Sequence, residues 1–167
     1  MIVLEAGPDI VAALPPGRQL VIKLEVDTDP PPEFRTETNY VLHPVPFAVR
    51  AYSLPDLFAG EMHAVLCRRW KARVKGRDWY DLIRYAGHHP QLHLRHLEAR
   101  MRQSGDYSAT EPLTADELNR RLAETVDRLN VKQAIAEVEP FVHDPPSPAL
   151  WSKKEFFSQV IARIVPG

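Results

Sequence analysis

Two Asp residues follow directly after the most basic stretch of the chain. From Arg68 to Arg77 there are six Lys or Arg residues and no acid, and Asp78 and Asp81 come next. Clustered cations of this kind bind polyanions such as nucleotide phosphates or nucleic acid. Residues three apart share one face of a helix, so the two carboxylates would point the same way. The alternatives are a solvated helix surface in which Arg77 pairs with the acids, and acids favoured by the dipole in a first helical turn.

A second group of carboxylates lies in the predicted strand Val21–Asp27. The strict alternation of this segment places Lys23, Glu25 and Asp27 on one face, opposite the apolar residues. The two carboxylates would then be roughly 7 Å apart. Oxygen ligands suit Mg²⁺, which also binds nucleotide phosphates. The alternative is the exposed, charged face of an edge strand.

Another acid, Glu61, lies on or beside the apolar side of the next element. Ser53-x-x-Asp56 is a capping box, and it predicts a helix starting there. Its apolar stripe is Leu54, Leu57, Phe58, Met62, Val65 and Leu66. Burying a lone carboxylate is costly, so Glu61 is predicted either at the wet edge of this stripe or directed into a site.

The seven histidines raise the question of a zinc site. The candidate ligands would be His88, His89, His93, His96 and Cys67, but their spacing matches none of the usual Cys/His zinc motifs. His63 is interpreted as a polar helix residue. No Gly-rich phosphate loop and no nucleophile motif is present, and one cysteine allows no internal disulfide and fits a reducing cytosol.

The elements that must position these residues indicate an α+β fold. A small N-terminal β-sheet portion is predicted over residues 1–52, with further strands at Thr38–His43 and Phe47–Tyr52. An α-helical bundle is predicted over residues 53–167, packed as one unit. Gly76 is predicted to break the basic helix, and the next helix would bury Trp79, Leu82, Ile83 and Ala86. Further capping boxes at Thr114-x-x-Glu117 and Ser152-x-x-Glu155 predict two later helices.

Charge and hydropathy limit the class of protein. The net charge is −1, yet residues 61–105 carry +6 between flanks of −4 and −3. No apolar run approaches the ~20 residues that span a bilayer, and the first residues lack the basic start of a signal peptide. A cytoplasmic protein without a membrane segment is therefore predicted.

Three stretches together resemble the AbiEii/AbiGii toxin family of bacterial nucleotidyltransferases. They are IKLEVDTDPP, LFAGEMHAVLCRRWKARVKGRDWYDL and LEARMRQSG, and GRDWYDL with the preceding basic helix is the most specific. The resemblance implies the DNA polymerase β-like nucleotidyltransferase superfamily. It also implies a toxin of a toxin–antitoxin or phage-defence system that transfers nucleotides from NTPs to RNA such as tRNA.

The resemblance also implies roles for individual residues. Glu25 matches the superfamily's third carboxylate and would ligate Mg²⁺ together with Asp27. Asp78 matches the family's Asp motif, with Asp81 as its companion, and would position the cations or assist the attacking hydroxyl. The implied substrate-binding residues, which would contact NTP phosphate or RNA, are Lys23, Glu61, Arg69, Arg73, Lys75 and Arg77.

The chain departs from the family pattern at two points. No Gly-Gly or Gly-Ser turn followed by Asp-x-Asp occurs before residue 20, and Glu61 stands where the family usually has Lys. We therefore expect the C-terminal part of such an enzyme, truncated and inactive alone, with an antitoxin as partner and a tendency to self-associate. The alternative is a non-catalytic remnant that binds RNA or a protein through the basic helix.

Overall fold

A computed structural model of the protein describes residues 25–68, 75–141, 151 and 154–167. The chain divides into two compact units, Met1–Pro30 and Pro31–Gly167. In the first unit, residues 25–27 form no strand and Val26 is 84% exposed, so the predicted strand Val21–Asp27 is wrong over these residues. The Asp29 N–H donates to Oδ1 of Asp27 at 3.1 Å, a local bond of the kind that competes with strand pairing. Residues 21–24 lie outside the described part.

The second unit begins with a β-hairpin. Strand β1, Thr36–Val41, pairs antiparallel with β2, Phe47–Tyr52, so that Thr36 lies opposite Tyr52. The second strand matches the predicted bounds, and the first begins two residues before its predicted start at Thr38. The hairpin belongs to the same compact unit as the helices. A domain boundary between residues 52 and 53 stays a prediction.

Helices make up most of the rest of the second unit, which confirms the predicted α+β class. They are α1 Leu54–Cys67, α2 Gly76–His88, α3 Leu94–Gln103, α4 Ala115–Asp127, α5 Val131–Val138 and α6 Lys154–Ala162, with a 3₁₀ turn at Glu139–Phe141. Two short strands, β3 Gln91–Leu92 and β4 Val165–Pro166, pair in parallel. Helix α1 therefore ends at Cys67 and α2 starts at Gly76, which confirms the predicted break.

The core forms where the apolar faces of the helices meet. Trp79, Leu82 and Ala86 of α2 are buried as their spacing predicts. In α1, Phe58 is buried and stacks on Tyr85 with ring centroids 4.9 Å apart. The start of α1 is less covered than its stripe predicts, since Leu54 is 40% exposed and Leu57 is 39% exposed.

Two of the predicted capping boxes can be compared with the structure. Thr114 accepts a hydrogen bond from the Glu117 N–H at 3.2 Å, which confirms the cap of α4. Ser53 makes no side-chain cap; its hydroxyl donates instead to the buried carboxylate of Asp56. Asp56 also meets the His93 ring, so contacts distant in sequence replace the local motif. Ser152 lies outside the described residues.

Candidate functional site

Asp78 is buried near the start of α2, with 5% of its surface exposed. Arg68 donates from Nη1 to its two carboxylate oxygens at 3.3 and 3.4 Å. Because Arg68 directly follows α1, this ion pair bridges the end of one helix and the start of the next. Burial raises the pKa of Asp78, while the cations of Arg68 and Lys75 act in the opposite direction. A buried carboxyl with a raised pKa beside cations is a pattern found at functional sites.

A cavity of about 650 Å³ opens beside this ion pair. The ends of α1 and α2, the turn after α3 and one side of α4 line it. Its charged lining side chains are the cations Arg68, Lys75, Arg121 and Arg128 and the acids Asp78 and Asp106. The positive charges outnumber the negative ones, so the cavity suits an anion such as a phosphate group.

Glu61 of α1 is half-buried and faces the acids of α2. Burial is the largest cause that raises its pKa, followed by the carboxylates of Asp81 and Asp78. Burial, then Glu61 and Asp81, likewise raises the pKa of the nearby Tyr85 hydroxyl. Of the two positions predicted for Glu61, the structure therefore favours the one directed toward other functional groups.

Asp81 lies one turn after the start of α2 and pairs with Arg77, with 3.6 Å between Nε and Oδ2. The Arg77 side chain is 80% exposed, so this pair contributes little to stability. The pairing agrees with the alternative in which Arg77 neutralises the neighbouring acids. Glu61, Lys75, Arg77, Asp78 and Asp81 thus form one charged group on α1, α2 and the residue before α2.

Comparison with protein families gives this arrangement a context. The family model described as Nucleotidyl transferase AbiEii toxin, Type IV TA system, matches residues 6–158. The chain belongs to the AbiEii family. It is a family of nucleotidyltransferase toxins of toxin–antitoxin systems, so nucleotide substrates and an antitoxin partner go with it. No curated protein and no solved structure matches the chain.

Other AbiEii positions named from the sequence are not part of this group in the described structure. Lys23, Arg69 and Arg73 lie outside the described residues. Glu25 and Asp27 belong to the first compact unit and are exposed there. Their oxygen donors are of the type that Mg²⁺ accepts, because Mg²⁺ is commonly held by one or two carboxylates together with substrate phosphates.

The histidines weighed as zinc ligands have other contacts. The ring of His93 bonds Asp56 at 2.5 Å, His96 bonds the Pro32 carbonyl at 2.9 Å and His88 bonds the Arg84 carbonyl at 3.1 Å. Each contact explains its histidine without a metal ion. His93 and His96 fix the start of α3, and His88 lies at the end of α2.

Sequence reasoning missed a different group at the edge of the cavity. His63, Cys67 and Asp106 each place one ligand atom within 4.8 Å of the others. The signal available in the sequence was the spacing of four between His63 and Cys67, which puts both on one face of α1. Asp106 is almost forty residues further along, and only the fold brings it close.

In the described parts of the chain, no helix is long and apolar enough to cross a bilayer.

Proposed function

We propose that the cavity between α1, α2 and α4 binds the phosphate groups of an NTP or of an RNA backbone during nucleotidyl transfer. The observation that carries this proposal is the cationic lining around the buried Arg68–Asp78 pair. Family membership supplies the reaction class, since AbiEii proteins are nucleotidyltransferases. The proposed acceptor is RNA, with tRNA as the first candidate.

Lys75 and Arg77 would contact phosphate from the start of α2, and Lys23, Arg69 and Arg73 are proposed to assist them. In the transfer, a hydroxyl of the RNA attacks the α-phosphorus of the NTP, the new O–P bond forms and pyrophosphate leaves. Asp78 would hold the cations in position or accept the proton of the attacking hydroxyl, with Asp81 as its companion. A carboxyl whose pKa is raised by burial is suited to proton transfer near neutral pH.

Glu25, with Asp27, is proposed to hold Mg²⁺ in the complete catalytic unit. When bound, the ion neutralises phosphate charge and orients the reacting groups. The chain itself shows no Asp-x-Asp motif after a Gly-Ser turn, and Glu61 adds a negative charge beside Asp78 and Asp81. We therefore propose that the chain alone does not transfer nucleotides at a useful rate.

The first experiment measures phosphate binding by the purified chain, using a fluorescent non-hydrolysable ATP analogue and labelled tRNA. Lys75→Ala is expected to weaken binding roughly tenfold, because it removes one charge-assisted contact in the cavity. Arg84→Ala is the matched control, since it removes one cation from an exposed position of the same helix. Equal effects of the two variants would show that only net charge matters and would overturn the proposed phosphate site.

The second experiment tests transfer itself, by incubating the chain with labelled NTPs, Mg²⁺ and tRNA. We expect incorporation near background for the chain alone. Robust incorporation that Glu25→Ala abolishes would support the transferase and contradict the proposed inactivity.

A second candidate function is RNA binding without transfer. The placement of Glu61 beside two other carboxylates favours it, because negative charge there opposes a triphosphate. It predicts tRNA affinity that falls steeply with salt, while the ATP analogue does not bind. Tight binding of the analogue would exclude it.

A further inference from the structure

A mixed group of metal-ligand side chains lies at the junction of α1 and the turn after α3. His63 and Cys67 stand one helical turn apart on α1, with Cys67 as its last residue. Asp106 follows Gly105, whose φ of +78° is in the left-handed region that favours glycine. That turn is closed by hydrogen bonds from the Asp106 and Tyr107 N–H groups to the Met101 carbonyl, at 2.8 and 3.1 Å.

Neighbouring groups hold these side chains in place. The Ser104 hydroxyl donates to Oδ2 of Asp106 at 2.7 Å and lies 3.0 Å from Nε2 of His63. Arg121 of α4 donates to the Asp106 backbone carbonyl at 3.3 Å. The imidazole and the carboxylate are thus oriented toward each other before any ligand is considered, which is the kind of outer support that metal ligands usually have.

We propose that His63, Cys67 and Asp106 form a Zn²⁺ site. Their three ligand atoms lie within 4.8 Å of one another, whereas ligands of a tetrahedral zinc ion are about 3.3–3.7 Å apart. Small rotations of side chains that are only half-buried can close this difference.

The donor types select the metal. One thiolate, one imidazole and one carboxylate are ligands that zinc accepts, whereas Mg²⁺ and Ca²⁺ are bound through oxygen alone. The negative charges of the thiolate and the carboxylate also balance the charge of the ion. This site is therefore distinct in chemistry from the Mg²⁺ that Glu25 and Asp27 are proposed to hold.

The fourth coordination position faces the 650 Å³ cavity, because Cys67 and Asp106 both line it. A zinc ion with three protein ligands and one open position holds a water molecule or an anionic group there. The ion would add positive charge next to Arg68 and Arg121, and so strengthen binding of an anion in the same cavity.

The test is metal binding by the full chain after treatment with a chelator, followed by titration with Zn²⁺ against a chromophoric competitor. We expect one equivalent bound with a Kd in the micromolar range or tighter. Co²⁺ in its place should give the near-ultraviolet charge-transfer band of a thiolate ligand, and this band must vanish in Cys67→Ser because the chain has no other cysteine.

His63→Ala and Asp106→Asn are expected to weaken Zn²⁺ binding at least tenfold while the circular dichroism spectrum stays unchanged. His88→Ala is the matched control, since His88 is exposed and contacts only its own helix among its printed bonds. Loss of binding in the control, or unchanged binding in Cys67→Ser, would overturn the site.

A second readout covers variants that fail to fold. Zn²⁺ should slow the reaction of the Cys67 thiol with a disulfide reagent in the unmodified protein, and Mg²⁺ at the same concentration should not. An unprotected thiol at saturating Zn²⁺ would exclude cysteine as a ligand and with it the proposed site.

Discussion

The two buried carboxylates of the second unit have pKa values shifted in opposite directions. Burial acts to raise both, but at Asp56 it is outweighed by the Ser53 hydroxyl, His93 and Arg35. Asp78 has Arg68 and Lys75 as its cationic partners, and there burial prevails. Asp56 is thus held ionised by neighbours that fix the fold, whereas Asp78 keeps a proton that it can exchange. Only Asp78 also lines the cavity.

Asp56→Asn should destabilise the protein by about 3 kcal/mol near neutral pH, because it removes one partner from a buried, charge-assisted group. The folded-state pKa of Asp56 is lowered, so its contribution is fully present above the unfolded value of 3.8. That contribution is lost as the pH falls through the folded value. Urea unfolding at pH 7 and at pH 3 measures both effects, and the difference from wild type should shrink at the lower pH.

The control for this prediction is Asp116→Asn, which removes an exposed acid from the first turn of α4. Such a charge near a helix N-terminus is worth at most about 1 kcal/mol. Equal losses for Asp56→Asn and Asp116→Asn would contradict the role given to burial.

At the scale of elements, α2 and α5 touch through their backbones. A Cβ atom on Gly76 would lie 1.9 Å from the Ala134 carbonyl oxygen, and the Gly76 N–H donates to Glu137 at 2.5 Å. This glycine therefore permits a close approach that no other residue allows. The same contact fixes the first turn of α2, from which Asp78 reaches Arg68.

Gly76→Ala should cost about 1–3 kcal/mol, since it pushes α2 away from α5 in a packed region. Gly87→Ala, in the same helix, meets nothing within 4 Å and should stabilise the protein by about 0.5–1 kcal/mol. Thermal unfolding of both variants gives the comparison. A neutral Gly76→Ala variant would show that the two helices can separate at no cost.

Local patterns predicted the helices better than they predicted contacts between them. The stripe of Trp79 and Leu82 and the cap by Thr114 depend on neighbours within a turn or two, and the structure confirms them. The capping box at Ser53 fails because its acid, Asp56, is bound by His93 almost forty residues away.

The site divides along the same line. The Asp78–Asp81 pair and its basic approach were visible in the sequence, and Arg77 was correctly named as a partner. The cavity walls from α4 could not be found, because Arg121 and Arg128 carry no local mark that distinguishes them from surface cations. Asp106 escaped notice for the same reason, since its approach to His63 depends on the turn at Gly105.

For the whole molecule, the hairpin is the most conspicuous apolar surface among the described residues. Tyr40, Leu42, Val45 and Phe47 are between 54% and 76% exposed. Exposed apolar groups on a two-stranded sheet favour pairing with another chain. The self-association predicted from the sequence is therefore assigned to this surface.

Phe47→Lys combined with Tyr40→Lys should reduce self-association, as measured by light scattering over a range of protein concentrations. The two residues belong to neighbouring strands, with Tyr40 opposite Ala48, so both charges fall on the hairpin. Leu57→Lys is the control, because Leu57 is 39% exposed but lies on α1. A wild-type chain that is monomeric throughout would refute the prediction.

The pairing of β3 with β4 has a consequence for synthesis. The Leu94 N–H donates to the Gly167 carbonyl at 3.0 Å, and Gly167 in turn donates to Leu92 at 2.9 Å. About 70 residues are translated between the two strands, which takes roughly 4–15 s at ordinary elongation rates. Throughout that interval the start of α3 must wait for its partner while the buried Leu92 and Leu97 stay open to chaperones. The helical unit therefore acquires its final form late in translation, however early its individual helices appear.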